Sequence, residues 1–147
     1  MTDSSATISD DKIAAWVGLV RVSQRMLGDV EADLKQAGFP PLAWYDALLE
    51  LRRAGTTGLR PFELQDKMLL AQYNLSRLTD RVVNEGYAQR LPCEDDGRGH
   101  VLAITASGRG LLKRMWPAYR SAIDRHFAGR LSTDEAKRLA GILDRLR

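Results

Sequence analysis

The chain is poor in what marks a membrane, metal or redox protein. It has a single cysteine, Cys93, so it cannot form an internal disulfide, which fits a reducing compartment. Its longest apolar runs, such as Met68 to Ala71, fall far short of the roughly 20 residues a bilayer-spanning helix needs. The polar stretch Met1 to Asp10 lacks the basic-then-apolar order of a secretory signal, so a cytoplasmic location with no membrane partner is expected. His100 and His126 have no metal-ligand spacing with Cys93, which argues against zinc. There is no glycine-rich phosphate loop and no nucleophile motif. An enzyme using Cys93 and a histidine as nucleophile and base would lack a third residue and an oxyanion loop. The expectation is therefore a non-enzyme without a cofactor.

What is present suits one globular domain over 1–147. Of its 147 residues 44% are hydrophobic and 28% charged, enough apolar material for a single core. The net charge of +3 invites a nucleic-acid reading, but its placement weakens the inference. Seven Lys/Arg face seven Asp/Glu between Gly55 and Gly110, and the surplus lies mostly in the C-terminal segment. Pattern and position must carry the argument.

The pattern is helical over most of the chain. From Ile13, residues Trp16, Val17, Val20, Leu27, Val30 and Leu34 recur at helical spacing over about six turns, ending at Gly38 before Pro40-Pro41. A second helix is expected over Leu42–Ala54. A third runs from Pro61, well placed at a first helical position, to about Met68. A fourth runs from about Gln72 to Asn84 and stops at Gly86. Tyr87–Leu91 and His100–Ile104 then read as two strands joined by a glycine-rich tip. Thr105 can cap a fifth helix that continues through Pro117 to about Gly129. Ser132 and Glu135 form a capping-box pair for a sixth, carrying Leu139, Ile142, Leu143 and Leu146.

Helix, turn, helix and hairpin in this order over Pro61 to Thr105 give the layout of a winged helix-turn-helix, whose second helix enters a major groove. On the fourth helix Leu75, Leu78 and Val82 should face inward. The opposite side then presents Tyr73, Asn74, Ser76, Arg77 and Arg81, side chains able to contact phosphates and base edges. An ordinary solvated polar face would look the same on that helix alone. At the hairpin tip Arg98 lies between two glycines, where a long cation can reach a narrow minor groove. Asp96 is placed to hold it by an ion pair, and His100 begins the return strand on the same side. Asp-Gly-Arg-Gly is also a common turn composition.

These segments resemble one family. Leu91-Pro-Cys-Glu-Asp-Asp-Gly-Arg-Gly-His-Val-Leu-Ala-Ile-Thr-Ala-Ser-Gly108 is similar to the wing signature of the MarR (multiple antibiotic resistance regulator) family: Asp-x-Arg, an apolar strand, then Leu-Thr-x-x-Gly. Asn74–Arg81, followed by Glu85-Gly86, resembles its recognition helix and the turn after it. Two departures stand out. Arg60 and Ala71 occupy positions where the family has Ser or Thr caps, a loss of roughly 1 kcal/mol each, and Ile104 replaces the usual Leu.

The resemblance implies a mainly α fold with a small β-wing and six helices. It further implies an intertwined homodimer through the N- and C-terminal helices (11–38 and 106–147), with 42–105 as the DNA-binding lobe. Its expected role is a DNA-binding transcription regulator, a repressor of a palindromic operator on double-stranded DNA, released by a small aromatic acid. Trp16, Arg21, Trp44 and Tyr119 come from the helices that would line the ligand pocket in such proteins, although aromatics are more often plain core. Cys93 lies in the wing and not in the first helix, where peroxide-sensing members keep their reactive cysteine. With no basic cluster evident beside it, it reads as incidental. A ligand-independent architectural DNA-binding protein is the alternative.

Overall fold

The computed structural model describes residues 7–72, 74–93 and 99–147. Six helices and one two-stranded sheet follow in order: α1 (Asp10–Gln36), α2 (Leu42–Ala54), α3 (Pro61–Lys67), α4 (Leu75–Asn84), β1 (Ala88–Pro92), β2 (His100–Ile104), α5 (Ala106–His126) and α6 (Thr133–Arg145). No helix of the described residues is long and apolar enough to cross a membrane.

The central element is α2, which buries Leu42, Tyr45, Asp46, Ala47, Leu48 and Leu51. Around it Leu34 of α1, Leu64 of α3, Val82 of α4, Leu102 of β2 and Leu112 and Met115 of α5 close one continuous core. Pro41 leaves α2 without a side-chain cap of its own. Glu31 of α1 supplies one, its Oε1 accepting the Leu42 N–H at 2.7 Å, so the first helix holds the start of the second. Two residues on in α1, Asp33 Oδ2 lies 2.8 Å from His126 Nε2 and ties the last turn of α5 to the same end of the helix.

Asp46 is the one buried carboxylate of α2, and both its oxygens are used. Oδ1 accepts the Leu69 N–H at 2.9 Å and Oδ2 the Leu70 N–H at 2.7 Å. The turn between α3 and α4 is thus bonded to the core helix through two charge-assisted contacts.

Two helix boundaries differ from the periodicity reading. Helix α4 starts at Leu75 rather than Gln72, because Asn74 is its cap. The cap missing at Ala71 is supplied three residues later. Helix α5 passes through Pro117 but stops at His126, and Ala128–Arg130 form a separate 3-10 turn. At α3, Glu63 Oε1 accepts the Arg60 N–H at 2.9 Å, so half of the capping box survives without a Ser or Thr. The box expected at α6 is complete, with Ser132 and Glu135 bonding each other's backbone N–H at 2.9 and 3.1 Å.

Strands β1 and β2 pair antiparallel with Ala88 opposite Ile104 and Pro92 opposite His100. Leu59 adds a short bridge on the other side of β2, exchanging both backbone hydrogen bonds with Leu102. The Ile-Thr-x-x-Gly end of the wing signature knots the sheet to α5. Thr105 Oγ1 accepts the Gly108 N–H at 3.1 Å and donates to the Gly86 carbonyl at 2.6 Å, while its own N–H donates to the Tyr87 carbonyl at 3.1 Å. Gly108 is required because a Cβ there would lie 2.1 Å from the Tyr87 carbonyl oxygen.

Gly108→Ala should therefore destabilise the protein by roughly 1–3 kcal/mol or more, since backbone rather than a movable side chain meets the methyl group. Gly110→Ala, two residues on, would meet only the end of Arg114 at 3.3 Å. It should be neutral or add up to about 1 kcal/mol of helix stability. Urea unfolding of both variants at one protein concentration checks the pair, and equal midpoints would show that the close approach of Tyr87 is not a constraint.

Candidate nucleic-acid interface

Helix α4 is sorted cleanly by burial. Leu78, Thr79 and Val82 are buried, and Leu75 packs against the core from its edge. Asn74, Ser76, Arg77, Asp80 and Arg81 are exposed. Leu78 and Val82 are buried as the sequence predicts, Leu75 is half-buried and Thr79 joins the inner side, while four of the expected DNA-facing residues lie on the solvent side. Tyr73, the fifth, lies outside the described residues.

Asn74 has a second role that periodicity did not reveal. Its Oδ1 accepts the Arg77 N–H at 3.0 Å, which caps the helix and leaves the amide donors and one lone pair for any other partner. Thr79 turns its hydroxyl to the Ser76 carbonyl at 3.0 Å, so its polar atom is satisfied inside.

In the wing, His100 is exposed at the start of β2. Asp96 and Arg98 lie outside the described residues. An ion pair that the sequence reading missed joins α4 to the wing, with Arg90 Nη2 of β1 donating to Asp80 Oδ1. Ten residues separate the two in sequence, and only the hairpin's return past α4 brings them together. Between α3, α4 and the strands runs an open groove of about 380 Å³ lined by Phe62, Ser76, Asp80, Arg90 and His100 among others. Phe62 is 62% exposed there.

Cys93 has a basic neighbour after all, contrary to the sequence reading. Arg60 Nη2 lies 2.9 Å from its Sγ, because the loop before α3 runs beside the end of β1. Among the described residues no group of three His, Cys, Asp or Glu side chains could hold a metal.

The four residues expected around a ligand do not share one cavity within the chain. Tyr119 lines a cavity of about 310 Å³ with Tyr45, Asp46, Arg53, Lys67 and Leu70, between α2, the α3–α4 turn and α5. Arg21 lies instead on an open apolar face of α1 with Ile13, Val17 and Val22. Trp16 is 66% exposed, and Trp44 stands edge-on to Tyr87. The aromatic group that does assemble is Tyr45, Trp116 and Tyr119, in mutual ring contact. Burial pushes the Tyr45 phenol above its ordinary pKa, opposed by Arg52 and Arg53. Burial also pushes Tyr119 up, and Asp46 and Tyr45 add to it. Both phenols are therefore neutral donors at pH 7.

A core helix α2, a helix-turn-helix of α3 and α4, and a two-stranded wing docked on α5 define a winged helix-turn-helix. The MarR family model matches residues 37–99. The structure is similar to that of Sco3205, a MarR family transcriptional regulator from Streptomyces coelicolor solved in complex with DNA. The TM-score is 0.83 at 21% identity, covering 95% of this chain and 91% of that one. A mutant MarR from E. coli complexed with operator DNA gives a TM-score of 0.77 at 22% identity, covering 95% and 99%. In sequence, the chain is 27% identical over 116 residues to the HTH-type transcriptional regulator PrsX of Escherichia coli, spanning 79% of this chain and 69% of that protein. It is 25% identical over 104 residues to the multiple antibiotic resistance protein MarR of Escherichia coli, spanning 71% of each. Residues 37–99 thus match the MarR family model, and the fold is shared with MarR-family winged-helix proteins, as the resemblance of the wing signature implies.

The double role of Asn74 can be separated by substitution. Asn74→Ala should lose about 1 kcal/mol of stability with the cap, whereas Asn74→Ser should keep the cap while withdrawing the amide. If the amide also touches DNA, gel-shift affinity should fall in both variants. Affinity that follows the unfolding midpoint alone would confine Asn74 to capping.

Proposed function

We propose that this chain is a sequence-specific, double-stranded DNA-binding transcription regulator that acts as a homodimeric repressor on a palindromic operator. The observation that carries the reading is the exposed polar face of α4, Asn74, Ser76, Arg77 and Arg81, standing beside the wing on a helix whose other side is buried in the core. Arg and Asn are the side chains best suited to two-point contacts with guanine and adenine in a major groove. Arg98, with Asp96 orienting it, and His100 would serve the flanking minor groove and backbone. Tyr73 would join the α4 contacts.

Dimerisation through 11–38 and 106–147 is supported by where apolar surface is left uncovered. Helix α6 buries none of its residues, yet Ile142, Leu143 and Leu146 form an apolar stripe on it. On α1 only Val30 and Leu34 are buried, both in its last third, and Ile13, Trp16, Val17, Leu19 and Val22 are exposed. Stripes of this size are covered in solution, and a two-fold copy covers both at once.

A small aromatic acid is the proposed releasing ligand. The cavity at Tyr119 suits it: the Tyr45 and Tyr119 rings and Leu70 for an apolar body, and Lys67 and the Glu50-paired Arg53 in its lining for a carboxylate. It touches α2, α5 and the turn before α4, so a bound ligand would bias the position of the reading helix. Trp16, Arg21 and Trp44 would join such a site only through the partner subunit or a different arrangement of α1.

Selection of bound sequences from a random duplex pool should return an inverted repeat, and light scattering should give twice the 16.4 kDa chain mass. Arg77→Ala should then cost roughly 1–3 kcal/mol on the selected site and much less on random DNA. A monomer that enriches no sequence would overturn the reading. Benzoate- or salicylate-like compounds should quench tryptophan fluorescence and release the duplex over the same concentrations. If a broad panel did neither, the ligand-independent architectural reading would replace this one.

A further inference from the structure

We propose that Arg90 is a DNA-backbone contact and that Asp80 positions it, the guanidinium sitting between the Asp80 carboxylate and a phosphate of the duplex. The inference rests on the DNA-binding reading above and extends it to two residues that the wing tip and the polar face of α4 did not bring into view.

Asp80 is the acid of an otherwise neutral or basic exposed face, one helical turn from Ser76 and flanked in the heptad by Arg77 and Arg81. A bare carboxylate there would oppose the approach of a polyanion. Arg90 meets it from β1, and among the described residues Asp80 is the side-chain partner of Arg90. Stability does not explain the pair. The side chains are 37% and 60% exposed, and ion pairs so solvated contribute little to folding. What the pair does is fix where a cation stands.

A guanidinium carries five N–H donors in a planar fork. One nitrogen bonded to Asp80 leaves the rest of the fork available on the solvent side, in the geometry that grips a phosphate. The location fits. Arg90 lines the groove between α3, α4 and the wing together with Ser76 and His100, and Pro61 and the exposed Phe62 ring give that groove an apolar wall suited to a deoxyribose. A strand of backbone lying between a major-groove helix and a minor-groove wing would pass here.

The test is a salt titration of binding to a mixed-sequence DNA duplex by fluorescence anisotropy, using the full chain and the variants Arg90→Gln, Arg90→Lys and Asp80→Asn, with unfolding midpoints measured alongside. Arg90→Gln should weaken binding and reduce the slope of log Kobs against log salt by about 0.9, the loss of one phosphate contact. Arg90→Lys should keep the slope, since the charge remains. Asp80→Asn should also keep it while weakening binding several-fold, because the cation is no longer oriented. Arg90→Gln with the parent slope and a native midpoint would overturn the phosphate contact, and Asp80→Asn binding as tightly as the parent would overturn the positioning role. If the parent itself bound no duplex at any salt, the DNA-binding reading would fall, and this inference with it.

Discussion

The carboxylate of Asp46 fixes the part of this protein on which everything else depends. A charge buried in an apolar core is costly unless each oxygen finds a donor. Here both do, in the N–H groups of Leu69 and Leu70. Because those donors belong to the turn between α3 and α4, the same two bonds that make the burial tolerable set the start of α4 relative to α2. Asn74 then begins the helix, and Leu78 and Val82 hold its inner side. The orientation of the polar face follows from a core helix, not from the surface loop that precedes it. An aspartate at position 46 of an otherwise apolar helix face is thus explained by the turn it serves.

A second fixed point lies at Thr105 and Gly108. The wing signature looks, in sequence, like a set of DNA-contacting residues, yet its C-terminal half is a packing device. Thr105 bonds α5, the turn at Gly86 and the Tyr87 carbonyl just before β1 through three contacts, and Gly108 lets that carbonyl pass where a methyl group would stand. The strand Val101–Ile104 is fixed at one end by this knot and along its edge by the Leu59 bridge. The Asp80–Arg90 pair spans the gap between the hairpin and α4.

Local signals are legible in the sequence, and contacts between distant segments are not. Periodicity located every helix, and Ser132 with Glu135 announced α6 because a capping box is a local event. The start of α4 was placed three residues early: Gln72 continues the helical pattern, while the cap at Asn74 depends on a side-chain bond that periodicity does not see. Glu31 capping α2, Asp46 holding the α3–α4 turn, Arg60 beside Cys93 and Arg90 beside Asp80 are invisible for one reason. Each joins residues ten or more apart in sequence, and only the closed fold brings them into contact. Trp16, Arg21, Trp44 and Tyr119 are legible in the sequence only as residues of particular helices, and helix identity does not decide which face a residue takes; within the chain Tyr119 meets Tyr45.

The long helices give this arrangement its mechanical sense. In α1 the burial of Val30 and Leu34 and the contact of Asp33 with His126 anchor only the C-terminal third to the lobe. Among the described residues, Ile13, Trp16, Val17, Leu19 and Val22 of the preceding turns are left exposed. A second copy laid across them would be tied rigidly to its own lobe by the same anchor, so the separation of the two α4 helices would be set by the angle at which α1 and α5 leave the core. Successive major grooves on one side of B-DNA are about 34 Å apart, and a two-fold protein meets them only if that angle is held. The cavity at Tyr119 lies where α5, α2 and the α3–α4 turn converge. On the proposed reading a small molecule bound there would need no contact with the DNA, because a shift of this joint, carried along the helices of a dimer, would take the two α4 helices out of register with the duplex.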